Sequence, residues 1–173
     1  MAIADVIVEM NRLQTEGRIA SYALGGAVAA QAYITPMSTE DVDVFVVIAG
    51  AEATSLAPLR LIYADLISRG AKPDREYLEI GGWPVQLLPP AGPLYDAAIA
   101  GARTVPLDGQ SARIMGPEHL AAIALQTGRG KDLVRLDEFI TTGAIDMPLF
   151  NILVEQFGLT EKWNRFRLQF GIE

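Results

Sequence analysis

Residues 22–30 read YALGGAVAA and residues 39–48 read TEDVDVFVVI, and these two pieces decide the fold. In the first piece, Gly25 and Gly26 separate a short apolar run from small helix-forming residues, which predicts a strand, a tight turn and the start of a helix. The second piece ends in consecutive β-branched and aromatic residues, a pattern typical of strands that are buried on both faces. We therefore expect this second strand to form the centre of a sheet.

Asp41 and Asp43 stand two residues apart at the start of that strand. Residues i and i+2 of a strand point to the same side, so the two carboxylates project together, with their backbones about 6 to 7 Å apart. Clustered carboxylate oxygens favour hard ions such as Mg²⁺ or Mn²⁺, which keep coordination positions open for substrate phosphates. A helix entered through Gly25 and Gly26 presents N–H groups to an anion. The pattern predicts a metal–phosphate site, and a solvated strand start beside a plain turn is the alternative.

The remaining sequence divides into a mixed part and a helical part. Hairpins are predicted around Gly81-Gly82 and Asp108-Gly109, and strands and helices mix up to about residue 116. Helices are predicted at 3–16, 56–68, 93–100, 118–127, 131–141, 147–157 and 160–169. The predicted fold class is α/β (α+β), a mixed sheet of about five strands flanked by helices. We expect an α/β core at 1–116 and a C-terminal helical subdomain at 117–173 packed on it as a cap.

Composition excludes several classes of protein. The chain has 173 residues, 50% of them hydrophobic, which suits a domain with a sizeable core. It has no cysteine and one histidine, His119, which excludes disulfides, thiolate zinc sites and histidine-rich metal cages. A net charge of −7 argues against general binding of duplex nucleic acid. With no secretion signal and no apolar run of about 20 residues, we expect a cytoplasmic protein without a membrane span.

The glycine turn and the Asp-x-Asp strand together resemble the signature of the DNA polymerase β-like nucleotidyltransferase superfamily. Within it, the chain resembles the small bacterial nucleotidyltransferase-like proteins that include the AbiEii-like abortive-infection toxins. The resemblance extends to LQTGRGKDL at residues 125–133, which is similar to the K-x-x-x-R-x-K-D segment of these proteins. It implies a nucleotidyltransferase-like sheet in which Asp41 and Asp43 hold Mg²⁺ or Mn²⁺ bound to an NTP, while Gly25 and Gly26 contact the phosphates.

The implied activity is metal-dependent transfer of a nucleotidyl group from an NTP to an unidentified acceptor, which is RNA, a protein or a small molecule. A toxin-like role beside a cognate partner protein is also implied. Arg129, Lys131 and Arg135 lie close together around one helix start, so they form either a phosphate-binding cluster or ordinary surface charges. The alternative function is a catalytically impaired module that binds a nucleotide or a partner.

Two departures from the family pattern concern the chemistry. Gln86 stands where active members carry a third carboxylate, and Gln126 replaces the lysine of the helical segment. An amide can coordinate Mg²⁺ but cannot accept a proton as a general base. A two-residue turn at Gly81-Gly82 would place Glu79 on the same sheet face as Gln86, so that Glu79 supplies the missing carboxylate. A three-residue turn would point Glu79 the other way.

Overall fold

A seven-stranded mixed sheet forms the centre of the protein, seen in a computed structural model that describes residues 2–35, 39–48, 50 and 57–172. Its strands are β1 (Ser21–Leu24), β2 (Val42–Val47), β3 (Lys72–Asp74), β4 (Tyr77–Ile80), β5 (Trp83–Leu88), β6 (Arg103–Leu107) and β7 (Gln110–Ile114). The helices of the described residues are α1 (Ile3–Thr15), α2 (Gly26–Ala30), α3 (Ala57–Ser68), α4 (Pro93–Ala100), α5 (Pro117–Thr127), α6 (Gly130–Thr141), α7 (Met147–Gln156) and α8 (Thr160–Phe170). The predicted first residue of α3, residue 56, lies outside the described residues.

Strand β2 is the central strand, in the sheet order β3-β4-β5-β2-β1-β7-β6. It runs antiparallel to β1 and parallel to β5, and Val42, Val44 and Val46 are buried to 2% exposure or less. The predicted α/β class and the central position of this strand are confirmed. Since β2 is hydrogen-bonded to a strand on each side, its residues are held in a fixed register with those of β5. In this register Asp43 pairs with Gln86.

Both predicted hairpins form with two-residue turns. Ile80 pairs with Trp83 across Gly81-Gly82, and Leu107 pairs with Gln110 across Asp108-Gly109. Asp108 and Gly109 both have positive φ, 49° and 76°, the conformation that favours Asp-Gly in such turns. The sheet nevertheless has seven strands rather than about five, and β3 was not predicted. This strand has three exposed residues with a proline in the middle, so it carries no alternation of apolar and polar residues.

Helices α5 to α8 follow the sheet as predicted, and α7 and α8 pack on each other through aromatic side chains. Helix α5 begins with Pro117 and ends at Gly128, whose φ of 67° stops the helix. Phe150 packs edge-on against Trp163, and Trp163 stacks on Phe166. Helix α5 also contacts α4 and α6, which places its residues beside the sheet and the α6 start. The division of the chain at residue 116 stays a prediction. No helix among the described residues is both long and apolar enough to span a bilayer.

Candidate active site

A cavity of about 620 Å³ lies between one face of the sheet and helices α4, α5 and α6. Its floor is formed by residues that share a sheet face because they alternate along their strands, namely Asp43 and Phe45 on β2 and Gln86 and Leu88 on β5. The polar residues on its walls are Thr39, Glu40, Asp41, Asp43, Tyr77, Gln86, Tyr95, Thr127, Arg129, Lys131, Asp132 and Arg135. Acidic and basic side chains therefore meet in one space.

Asp41 and Asp43 line this cavity together, as the i and i+2 spacing predicts. Asp41 lies immediately before β2, where its carbonyl accepts a hydrogen bond of 2.9 Å from the Thr39 hydroxyl. Its carboxylate accepts a bond of 3.4 Å from the hydroxyl of Tyr77 on β4. The negative charge of Asp41 raises the pKa of Tyr77 further above its ordinary value of 10.0, and the phenol, which is protonated at neutral pH in either case, acts as a donor. Asp41 is thus held at its backbone carbonyl by Thr39 and at its carboxylate by Tyr77.

The glycine turn packs directly against Asp43. Gly26 has a φ of 59°, and a Cβ atom built on it would overlap the Asp43 carboxylate. A Cβ on Gly25 would lie 2.6 Å from Cε2 of Phe45. Glycine at these two positions therefore lets the start of α2 approach the carboxylate and the ring on β2.

Gly25 and Gly26 differ in what they present to the cavity. Gly26 lines the cavity, whereas Gly25 is buried, and its N–H donates a bond of 2.9 Å to the Asp43 carbonyl. The amide of Gly25 is already used to join β2 to the turn, so the geometry favours Gly26 over Gly25 as a phosphate contact, and the role of both glycines stays a prediction. Gly26 remains positioned beside the aspartates.

Asp43 is a half-buried carboxylate with an unusual charge environment. Burial, and secondly the charge of Asp41, raise the pKa of Asp43, while Arg129, Lys131 and Arg135 oppose that rise. The carboxylate pair thus lacks full compensation even with three cations nearby. A bound cation would relieve this repulsion.

The predicted cluster of basic residues forms around the start of α6. Arg129, Lys131 and Arg135 all line the cavity. The Arg129 Nε atom donates to Asp132 Oδ2 at 2.6 Å, and this hydrogen bond is the main cause of the raised pKa of Arg129. Gln126, by contrast, does not line the cavity, and its carbonyl accepts a hydrogen bond from the Lys162 ammonium group.

The structure places Gln86 beside the aspartates and Glu79 away from them. Gln86 lies beside Asp43 on the neighbouring strand and lines the cavity. The two-residue turn puts Glu79 on the predicted sheet face, yet the structure does not bring it to the aspartates. Glu79 is exposed, is paired with Lys72 of β3, and has its Oε1 3.1 Å from Nζ of Lys72. This position does not favour the hypothesis that Glu79 replaces the third carboxylate, which stays a prediction.

Three further residues of the site were not assigned a role by the sequence. Tyr77 lies next to Asp41, to which its hydroxyl donates a hydrogen bond. Tyr77 stands two residues before Glu79 on the same strand, so the alternation that placed Glu79 on the face of Gln86 also applies to Tyr77. Asp132 and Tyr95 line the cavity from α6 and α4. Asp132 belongs to the segment LQTGRGKDL that the family resemblance singled out, whereas nothing in the local sequence distinguishes Tyr95 from a residue on the outer surface of a helix.

The donor set fits a single hard cation. Asp41 and Asp43 supply carboxylate oxygens and Gln86 an amide oxygen on the same sheet face, which suits Mg²⁺ or Mn²⁺. No group of three or more His, Cys, Asp or Glu side chains able to hold a metal occurs in the described part of the chain. A second ion would therefore need most of its ligands from a substrate.

Solved structures with this fold are nucleotidyltransferase-like proteins. An antigenic nucleotidyltransferase-like protein from Paracoccidioides brasiliensis matches with a TM-score of 0.56 at 16% identity, over 91% of this chain and 89% of that chain. The antibiotic-resistance factor ANT(2″)-Ia matches in its solution structure with a TM-score of 0.56 at 13% identity, over 98% of this chain and 99% of that chain. Its complex with adenylyl-2″-tobramycin matches with a TM-score of 0.53 at 14% identity, over 93% and 97% of the two chains.

These similarities show that the chain has the fold of nucleotidyltransferase-like proteins. Membership of the superfamily stays a prediction. No protein-family model matches the sequence, and the comparison with curated proteins gives no match. The finer resemblance to the AbiEii-like group stays a prediction.

Proposed function

We propose that this protein is a metal-dependent nucleotidyltransferase that moves a nucleotidyl group from an NTP to an acceptor hydroxyl. One observation carries the proposal: Asp41 and Asp43 face Gly26 and the basic cluster of α6 across a single cavity. This arrangement offers oxygen ligands for a cation and positive charge for phosphates in the same space. The fold similarity supports it independently.

Asp41 and Asp43 would hold one Mg²⁺ or Mn²⁺ together with the NTP phosphates. When bound, the ion supplies Lewis-acid stabilisation of the charge on the phosphoryl oxygens. Arg129 and Lys131 bind the β- and γ-phosphates, and Gly26 lets the backbone of α2 approach them. Tyr77 keeps the Asp41 carboxylate oriented through its hydrogen bond.

Transfer forms a bond between the acceptor oxygen and the α-phosphorus and breaks the bond from that phosphorus to pyrophosphate. The leaving pyrophosphate remains paired with the cations of α6, so the site stabilises charge where it develops. Gln86 cannot accept the acceptor's proton, which passes to water in the open cavity. The chain thus contributes positioning and charge rather than a dedicated base at this position.

A small hydroxylated molecule is the acceptor class we favour among the three. ANT(2″)-Ia, whose complex contains adenylyl-2″-tobramycin, has almost the same length as this chain, and the match spans 93% of one and 97% of the other. RNA, a protein acceptor, the toxin-like role, the cognate partner protein and the cytoplasmic location rest on sequence analysis alone.

The second candidate function is a nucleotide-binding module without turnover, and Gln86 favours it. The position beside Asp43 carries an amide, and the described residues contain no cluster of three carboxylates. Such a chain would bind an NTP and release no pyrophosphate.

Calorimetric titration with each NTP, with and without Mg²⁺, tests the proposal together with transfer of α-³²P label to a panel of aminoglycosides, tRNA and proteins. We expect Mg²⁺-dependent binding in the wild type and its loss in Asp43→Asn. Labelled product identifies the enzyme, whereas binding without product identifies the module. Absence of NTP binding in both conditions contradicts both functions.

A further inference from the structure

Asp132 is a buried carboxylate in the wall of the cavity, with 2% of its side chain exposed. Oδ2 accepts a hydrogen bond of 2.6 Å from Nε of Arg129, and Oδ1 accepts one of 3.4 Å from Nη2 of the same side chain. Oδ1 also accepts a bond of 3.5 Å from Nη1 of Arg135. One carboxylate therefore accepts hydrogen bonds from two guanidinium groups. Arg129 precedes the first turn of α6 in the chain, and Arg135 follows it.

This contact holds two guanidinium groups that differ in exposure. Arg129 is 63% exposed. Arg135 is 12% exposed, and its Nε is buried without a hydrogen-bond partner in the part of the chain that the structure describes. Since each guanidinium has five N–H donors and Asp132 engages two on Arg129 and one on Arg135, both keep donors for a ligand.

The basic side of the cavity carries net positive charge toward a polyphosphate. Arg129, Lys131 and Arg135 carry three positive charges, and Asp132 neutralises one of them, which leaves two. A triphosphate carries several negative charges at neutral pH, so its phosphates are attracted to this side. Asp132 thus sets both the position and the net charge of the basic side.

We propose that Asp132 is a positioning residue that holds Arg129 and Arg135 as a two-armed clamp on a polyphosphate chain. The clamp favours polyphosphates over single phosphates, because two guanidinium groups can each bind a different phosphate of one chain, whereas a single phosphate needs only one of them. This inference rests on the proposed function and adds Asp132 and Arg135 to the residues that recognise the NTP.

Binding of inorganic tripolyphosphate and of orthophosphate, measured by calorimetry without metal at low salt, tests the clamp in Asp132→Asn. We expect tripolyphosphate to bind about tenfold more weakly, the effect of losing a charge-assisted hydrogen bond, with little change for orthophosphate. The direction of the change in affinity is decisive, because the substitution removes a negative charge and so makes the net charge of the site more positive by one. If charge alone governed binding, the variant would bind tripolyphosphate more tightly, and unchanged or tighter binding overturns the proposal.

Asp137→Asn is the matched control, since Asp137 lies on the same helix and outside the cavity lining. It makes the same change in net charge and should leave both affinities unchanged. Arg129→Lys is a second test that does not depend on folding, because Arg129 is largely exposed. It keeps the charge and removes the planar two-point contact with Asp132, and we expect a several-fold loss of tripolyphosphate affinity with an unchanged melting temperature. Wild-type affinity in Arg129→Lys contradicts the clamp.

The two proposals fail in different ways. If the wild type binds Mg²⁺–NTP and Asp132→Asn binds it and tripolyphosphate equally well, the clamp is wrong and the proposed function stands. If the wild type binds no Mg²⁺–NTP, the proposed function is wrong. Tripolyphosphate binding that depends on Asp132 would then support a polyphosphate site with another use, whereas no tripolyphosphate binding overturns the clamp as well.

Discussion

The backbone of Gly26 lies against the carboxylate of Asp43, so closely that a Cβ atom at Gly26 would overlap it. This contact joins the start of α2 to the central strand and sets the distance between the glycine turn and the carboxylate pair. The proposed function depends on it because both sides must reach the same ligand.

Gly26→Ala should therefore abolish binding of Mg²⁺–NTP while leaving the protein folded. The alanine must adopt a φ near 59°, at a cost of about 1 to 2 kcal/mol, and must also displace the Asp43 carboxylate. Calorimetry measures the binding and thermal unfolding the stability. Gly143→Ala is the control, because Gly143 has a φ of 67° with no atom within 4 Å of a built Cβ. It should lose similar stability and keep full NTP binding; equal binding by the two variants would contradict this role of Gly26.

Asp43→Asn should make the metal-free protein more stable at neutral pH. The pKa of Asp43 is raised in the folded protein above its ordinary value of 3.8, mainly by burial. A raised pKa means that the folded state holds the proton more tightly, so the stabilisation is present below pH 3.8 and is lost as the pH rises through the higher folded pKa. The advantage of Asp43→Asn over wild type should grow across that window.

Thermal unfolding of both proteins from acid to neutral pH, in EDTA, measures this difference. Added Mg²⁺ should then raise the melting temperature of the wild type and not that of Asp43→Asn, because only the wild type has the full carboxylate pair. A constant difference between the two proteins at every pH would show that Asp43 is not electrostatically strained.

Tyr77→Phe and Glu79→Ala should differ in their effect on NTP affinity, although Tyr77 and Glu79 lie on the same face of β4. Tyr77→Phe removes the hydrogen bond to Asp41, and we expect NTP affinity with Mg²⁺ to fall several-fold. Glu79→Ala removes only an exposed pair with Lys72, worth about 0 to 1 kcal/mol, and should leave affinity and turnover at wild-type values. Loss of activity in Glu79→Ala would return Glu79 to the site.

Gln86→Glu should raise affinity for Mg²⁺ about tenfold or more, because it adds a carboxylate directly beside Asp43 with little change in volume. The same substitution should lower the stability of the metal-free protein through repulsion with Asp43. Calorimetry with Mg²⁺ and label transfer to an acceptor measure the two consequences for the site. Unchanged Mg²⁺ affinity would mean that residue 86 does not face the ion, and a gain in turnover would identify the wild type as an impaired enzyme.

Local patterns in the sequence were sufficient to predict much of the sheet and the two aspartates of the site. The β-branched run after Asp43 predicted a central strand, and Asp108-Gly109 predicted a hairpin with a two-residue turn. The two-residue spacing of Asp41 and Asp43 placed them on one side of the chain. These features depend on neighbouring residues of the same segment, through alternation of side chains and the φ values that a turn requires.

The position of Glu79 depends on a strand that the sequence did not indicate. Strand β3 pairs with β4 through backbone hydrogen bonds, and this places Lys72 directly opposite Glu79. Glu79 therefore lies beside Lys72, while Tyr77 reaches Asp41. Because the exposed segment Lys72–Asp74 has no hydrophobic pattern, its pairing could not be inferred locally.

What the sequence by itself determined is most of the elements, the centre of the sheet and the two aspartates that share a face. The tertiary structure decided which residues meet those aspartates: Gly26 through its close approach, Tyr77 through its reach, and Arg129 and Arg135 through the buried Asp132. The physical reason is the distance along the chain over which each interaction acts. Strand alternation and turn conformation arise within a few residues of chain, whereas the partner of a charged side chain is chosen by elements that fold onto it from far along the sequence.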